Sequence, residues 1–327
     1  MDTGNLMPDA TVLAAIRDDI EGYEQQRGAA HRSISWRVPA FLASLLVVVV
    51  AIAVFFNGIA DPNEQWFSAP HVFLYVTAFV VAFFVYSAAV APATRLQRGF
   101  REKLLPRVFG FIDDLQYSQG GKPESFDRLP RVAVGQFNRQ SFDDVFAGRY
   151  EGFPFELYEA TLSQKQGKST QTVFRGVVVA FETISPFPGV LVASRRAGTV
   201  TKFFRDMFGS GGLQELQSGV ASLDQTYEFR SDNVEAARPL VTGRLARALQ
   251  WMGETWPEEP ARVALQANDG YLFLPFTKNF FELPGIGTPV DYKTHIEPMI
   301  ADMVSLLATA SLVRKVGAPD DSAQAQP

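Results

Sequence analysis

Residues 230–241, RSDNVEAARPLV, crowd Arg230, Asp232, Asn233, Glu235 and Arg238 ahead of an apolar periodic run. Carboxylates beside guanidiniums are raw material for proton transfer or anion binding. The same residues also spell a helix entry. Asp232 as N-cap would accept amide hydrogens of the first turn, and Glu235, three positions on, would reach back to the cap's own amide. Both acids suit the positive end of the helix dipole. Arg238 lies within reach of Glu235, and Pro239 allows a short turn followed by a new helix. Helix entry accounts for every charge in the stretch, so Asp232 and Glu235 are assigned a structural capping role.

Other chemistry-bearing residues are sparse. The chain has no cysteine, which removes disulfides, thiolate metal sites and cysteine nucleophiles, and fits a reducing compartment. Of the histidines His31, His71 and His295, only His295 falls in the expected soluble part, in DYKTHIEP. A histidine metal site is thereby excluded, and a Ser-His-Asp triad has one candidate base with no Gly-x-Ser-x-Gly elbow beside it. SQGGKPES (118–125), GSGGL (209–213) and GIGTP (285–289) lack phosphate-loop spacing and read as loops. The acidic pairs Asp113–Asp114 and Asp143–Asp144 fall short of the roughly six or more oxygens a calcium site takes, and turn or cap roles suit them better. Arg195 and Arg196, in ASRRAG (193–198), have the forked donors that suit phosphate or carboxylate, although at a strand end they read first as solvated surface. No catalytic residue, metal or cofactor is expected.

The elements that would position these groups fall into two kinds. Residues 38–60 and 72–93 run without a charge. At about 1.5 Å per residue each makes a helix of roughly 33–35 Å, enough for a hydrocarbon core of about 30 Å. The linker DPNEQWFSAPH (61–71) holds Asp61 and Glu64 but no Lys or Arg, with Pro62 and Pro70 as helix stops and Trp66 at headgroup level. Arg27, Arg32 and Arg37 precede the first span, and Arg95, Arg98, Arg101, Lys103 and Arg107 follow the second. The positive-inside rule then places both termini in the cytoplasm of a multi-pass inner-membrane protein. Those last five cations serve topology and are candidates for contact with anionic lipid headgroups.

Before the spans, Val12, Ile16, Ile20 and Tyr23 make the stripe of a short amphipathic helix with Asp9 as cap, needing a partner for its apolar face. After them, Leu96, Phe100, Leu104, Val108, Phe111 and Leu115 extend a basic helix over 95–117, broken near Pro92 or Pro106. Strands are expected at 131–137, 153–163, 172–182 and 189–194, the run at 177–181 being central and Gly176 marking a bulge or a close backbone approach. QKQGKST (164–170) is a loop between strands, and the Asn-Asp-Gly at 268–270 predicts a hairpin turn. Helices are expected over 239–252 and 298–314, the latter with Met299, Met303, Leu306, Ala310 and Val313 on one stripe, and 317–327 reads as a disordered tail.

The expected organisation is a helix over 1–30, a transmembrane hairpin over 31–94, a juxtamembrane helix over 95–117 and a cytoplasmic domain over 118–316. That domain is α+β, with a mostly antiparallel sheet and flanking helices. YEFRSDNVEAARPLV (227–241), with TVFRGVVVAFE (172–182) before it, resembles the bacterial membrane-protein family catalogued as domain of unknown function 3137. The resemblance implies a transmembrane hairpin joined to a cytoplasmic domain. It implies no activity, and the chain departs from the pattern at Pro239 and by an extra alanine in EAAR.

The net charge of −5 and pI near 5.4 give no electrostatic footprint for nucleic acid. The leading reading is a membrane-anchored domain that binds or scaffolds a ligand, lipid headgroup, protein partner or second copy. A membrane-tethered enzyme using carboxylates and arginines is the alternative. A pocket of acids with displaced pKa values would favour the enzyme, and an exposed apolar patch or open sheet edge would favour binding. A transport-complex subunit ranks below both, since neither span carries an ionisable group.

Overall fold

The computed structural model describes residues 10–58, 66–196, 212–257, 261–276 and 279–316. Asp9, Asp61, Pro62, Glu64, most of GSGGL and the tail 317–327 lie outside them. The chain forms two compact units. One gathers Ala10–Leu104 and Leu283–His295; the other gathers Leu105–Glu282 and the chain from Ile296.

The first unit is built on two long helices, α1 (Ala10–Asn57) and α2, which starts at Ala69 and runs to Val108 in the second unit. The amphipathic N-terminal stretch and the first apolar run are one helix, continuous through Pro39. Pro70 sits in the first turn of α2, where a missing amide costs nothing. The expected break at Pro92 or Pro106 does not occur, and the helix ends at Val108, well short of residue 117. Ile16, Ile20 and Tyr23 are buried, and Tyr23 stacks on Phe100 of α2 with ring centroids 4.0 Å apart. Lys103 pairs with Asp19 at 2.6 Å. Farther along the pair, His71 is fully buried, with Nδ1 2.6 Å from Ser68 Oγ and Nε2 2.9 Å from the Ala53 carbonyl. A carbonyl only accepts, so Nε2 donates to Ala53. The GIGTP loop belongs to this unit, where Arg27 Nη1 donates to the Ile286 carbonyl at 2.8 Å and Glu24 accepts from the Val290 amide at 2.8 Å.

The second unit is α+β. Its strands are β1 (Asp113–Gln119), β2 (Arg139–Tyr150), β3 (Phe153–Gln166), β4 (Ser169–Arg195), β5 (Gln214–Leu216), β6 (Tyr227–Ser231) and β7 (Arg262–Pro275). Among the described strands the order is β1-β2-β3-β4-β6-β5, with β7 on β4, and all pairings are antiparallel. Strand β4 organises the sheet. Residues 169–181 pair with β3, residues 191–195 pair with β6, and 176–194 pair with β7. Between these halves Pro186 and Pro188 supply no amide hydrogen, and the register with β7 shifts between Glu182 and Val190. The two runs expected as separate strands, 172–182 and 189–194, are thus one bent strand. At Gly176 a Cβ would overlap the Leu274 carbonyl oxygen, which is the close backbone approach the sequence predicts.

Three expectations fail here. RVAVGQF forms one helical turn, α3 (Arg131–Val134), and not a strand. Leu115 lies in β1, not on a helix. Asn-Asp-Gly at 268–270 lies inside β7, where Ala267 at φ 49° marks a bulge opposite the β4 bend, so no hairpin forms. Turn-forming residues meet the need for a kink as well as the need for a reversal.

One sheet face packs Tyr158, Phe174, Val178, Tyr271 and Phe273 against Phe126, Leu129 and Val134 from the segment over β7. Helices α4 (Ala221–Thr226), α5 (Val234–Val241), α6 (Arg244–Thr255) and α7 (Glu297–Arg314) also belong to the domain. Met299, Met303, Leu306, Ala310 and Val313 of α7 are buried as the stripe predicts. Pro239 does not begin a helix; it lies within α5, and the break comes at Thr242–Gly243.

Among the described residues three helical segments are long and apolar enough to cross a membrane: Ala10–Asn57, Ala69–Val108 and Tyr292–Arg314. Only 6% and 0% of the apolar windows of the first two are buried, against 67% for the third. The third is a core helix of the α+β unit.

Candidate acidic site

Strands β2 and β3 pair residue for residue until Phe142 meets Ala160; the next pair is Val145 with Tyr158. Two residues of β2, Asp143 and Asp144, therefore oppose one of β3, Glu159. This β-bulge gathers three acids whose carboxylate oxygens lie within 4.8 Å of one another. The sequence shows Asp143–Asp144 but gives no hint of the third member from chain proximity. Alternation along β3 did carry a signal, because Glu159 continues the inward face of Phe153, Phe155 and Leu157.

Neighbouring elements supply donors. Gln119 Nε2 donates to Asp143 Oδ1 at 3.2 Å and Asn279 Nδ2 to Asp143 Oδ2 at 2.7 Å. Tyr117 Oη donates to Asp144 Oδ1 at 2.5 Å, and the Phe280 amide to Glu159 Oε1 at 2.6 Å. Asp144 is fully buried and Glu159 nearly so. Burial first, then the Asp144 charge, raises the Glu159 carboxyl from 4.5 to about 8, with the Phe280 amide opposing. Near neutral pH the cluster thus holds a proton on Glu159. A cavity of ≈ 300 Å³ opens beside it, lined by Ser141, Asp143, Glu159, Thr161, Arg175 and Asn279. The donor set is also hard oxygen chemistry suited to a divalent cation, but Asp143 Oδ1 and Oδ2, Asp144 Oδ1 and Glu159 Oε1 already accept hydrogen bonds from the protein.

The other sequence-predicted residues lie elsewhere. Arg95, Arg98, Lys103 and Arg107 of α2 are exposed, whereas Arg101 is buried and so is not placed for headgroup contact. The N-cap of α5 is Asn233, one residue past Asp232: its side chain accepts from the Ala236 amide at 3.2 Å. Asp232 instead accepts the Val190 amide of β4 at 2.7 Å. Glu235 then falls at the second helical position, out of register for a capping box. Asn233 Nδ2 donates to the Pro188 carbonyl at 2.8 Å and Ser231 Oγ to the Val190 carbonyl at 2.9 Å. Ser-Asp-Asn is therefore a clamp on β4 just past its bend, and Gly189 is required because a Cβ there would overlap the Asp232 carboxylate. His295 sits in a π-helical turn, with Nδ1 2.9 Å from the Asp291 amide. Asp113 and Asp114 begin the edge strand β1.

No known family profile matches the chain. No curated protein sequence matches it either. Among solved structures, the crystal structure of the mycobacterial trehalose monomycolate transport factor A, TtfA, is similar over 67% of this chain and 93% of that one, at 15% identity and a TM-score of 0.41.

Proposed function

We propose that this chain is a two-span inner-membrane protein that holds an α+β binding or scaffolding domain in the cytoplasm, with both termini on that side. One observation carries the reading. The apolar windows of α1 and α2 are almost wholly uncovered by protein, with Leu46, Val47, Phe55, Phe73, Phe79 and Phe84 exposed around the helices. Helices apolar on all sides and uncovered are soluble only in lipid. The loop charges support the orientation, and the resemblance to the family catalogued as domain of unknown function 3137 supports the same architecture. The natural absence of cysteine makes the test direct. Asn63→Cys in the linker should react with a membrane-impermeant maleimide on intact spheroplasts, and Lys168→Cys in the β3–β4 turn only after lysis. The reverse pattern would overturn the topology, and release of the chain by alkaline carbonate would overturn the spans.

A membrane-tethered enzyme is the second reading, favoured by the proton held on Glu159 beside a cavity. The use of Asp143, Asp144 and Glu159 oxygens by structural donors weighs toward binding.

A further inference from the structure

A second cleft of ≈ 600 Å³ lies at the far end of β4, between α4 and α6. Arg195 and Arg247 line it, and among the described residues no acidic side chain does. The ≈ 570 Å³ cavity lined by Arg128 and Arg149 has the opposite balance, since Asp114, Glu124, Glu156, Glu182 and Asp269 also line it. Among the described residues neither cleft arginine pairs with a carboxylate. Arg195 Nη1 donates to the Pro257 carbonyl. Its neighbour Arg196 is consumed elsewhere, by Glu215 at 2.8 Å and by the Asp224 and Tyr227 carbonyls. Nearby acids are also engaged: Asp224 accepts the Ser218 and Gly219 amides, and Glu254 accepts from Gln250. Two arginines thus line one cavity with no carboxylate partner among the described residues.

The remaining walls are apolar or small. Leu223 and Ala246 line the cleft, and Val220 is 44% exposed at its wall. Tyr227 is held in place by donating to the Leu249 carbonyl at 2.6 Å. Gly253, which costs helix stability relative to alanine, leaves this wall open, since a Cβ there would lie 3.2 Å from Tyr227 Oη.

We propose that this cleft binds an oxyanion, phosphate or carboxylate, carried on a short apolar body, with Arg195 and Arg247 taking the charged oxygens. Forked guanidinium donors match both oxyanions, and the volume suits a small-molecule site. The proposal rests on reading this unit as a binding domain and adds the chemistry of the ligand. Its failure would leave the maleimide and carbonate results untouched.

The test uses the full chain in phosphatidylcholine nanodiscs, with hydrogen exchange of residues 242–256 followed during titration with hexyl phosphate. A second arm replaces part of the phosphatidylcholine with phosphatidic acid. Saturable protection in either arm, weakened about tenfold or more in Arg247→Gln and retained in part by Arg247→Lys, supports the proposal. The responding arm identifies a soluble anion or a lipid headgroup as the source. Arg139→Gln, at the exposed start of β2, should bind as the parent does. Arg247 is exposed, so its replacement leaves the fold intact. Absence of protection in both arms, or protection undiminished in both Arg195→Gln and Arg247→Gln, overturns it.

Discussion

Glu159→Gln tests the account of the acidic site most directly. The folded protein raises this carboxyl from 4.5 to about 8, so it binds the proton more tightly than the unfolded chain does. The stability that proton provides is complete below pH 4.5 and is lost progressively as pH rises through 8. At 1.36 kcal/mol per pH unit, the interval between the two values sets a ceiling of about 5 kcal/mol. Because part of the Glu159 shift comes from the neighbouring Asp144 and Asp143 charges, which the unfolded chain does not fully lose, a realised change of about 2–4 kcal/mol is expected. Glutamine is neutral at every pH and keeps an acceptor for the Phe280 amide, so the variant should gain on the parent across this window and level off above it. The assay is urea unfolding of the full chain in detergent micelles, read by Trp251 and Trp256 with Trp36 and Trp66 replaced by phenylalanine. A difference between variant and parent that does not change with pH would refute the reasoning, because Glu159 would then be ionised in the folded state. Repeating the series with magnesium and with a chelator would show whether a cation accounts for that result.

Other perturbations probe the frame around the site. Asn233→Ala should cost about 0.5–2 kcal/mol as the loss of an N-cap. Asp232→Ala should cost about 0.5–1.5 kcal/mol for the Val190 hydrogen bond, and amide exchange should rise at Val190 only in the latter. Gly176→Ala drives a methyl into the Leu274 carbonyl and should destabilise by about 1–3 kcal/mol or more in the same urea assay. Tyr227→Phe removes the buried hydrogen bond to the Leu249 carbonyl and should cost about 1 kcal/mol.

Much of this architecture is written in periodicity. The apolar runs of α1 and α2, the alternation of β3 and the stripe of α7 each depend on local spacing, and each is legible in the sequence. What escaped depends on partners distant in the chain. Asn-Asp-Gly within β7 carries a local turn signal, but pairing with β4 on both sides of it holds the strand extended. Asp232 and Asn233 are both competent caps, and the choice between them is made by the Val190 amide, which claims Asp232. The acidic site escaped for the same reason. Asp143 and Asp144 are adjacent, but only the β2–β3 register brings Glu159 to them.

The pairing of β4 also sets the order in which the domain can be completed. Thr183 of β4 donates to the Asn268 carbonyl of β7 across 85 intervening steps of chain. As synthesis proceeds, β2, β3 and the first half of β4 emerge able to pair at once. The other edge of β4, some of the most apolar backbone in the domain, waits for β7 to leave the ribosome. Loop closure of this length is slow relative to local pairing, so the nascent domain spends that interval as a half-sheet with one sticky border. Chains stopped between β6 and β7 would keep that border permanently, and strand-to-strand aggregation is their expected fate.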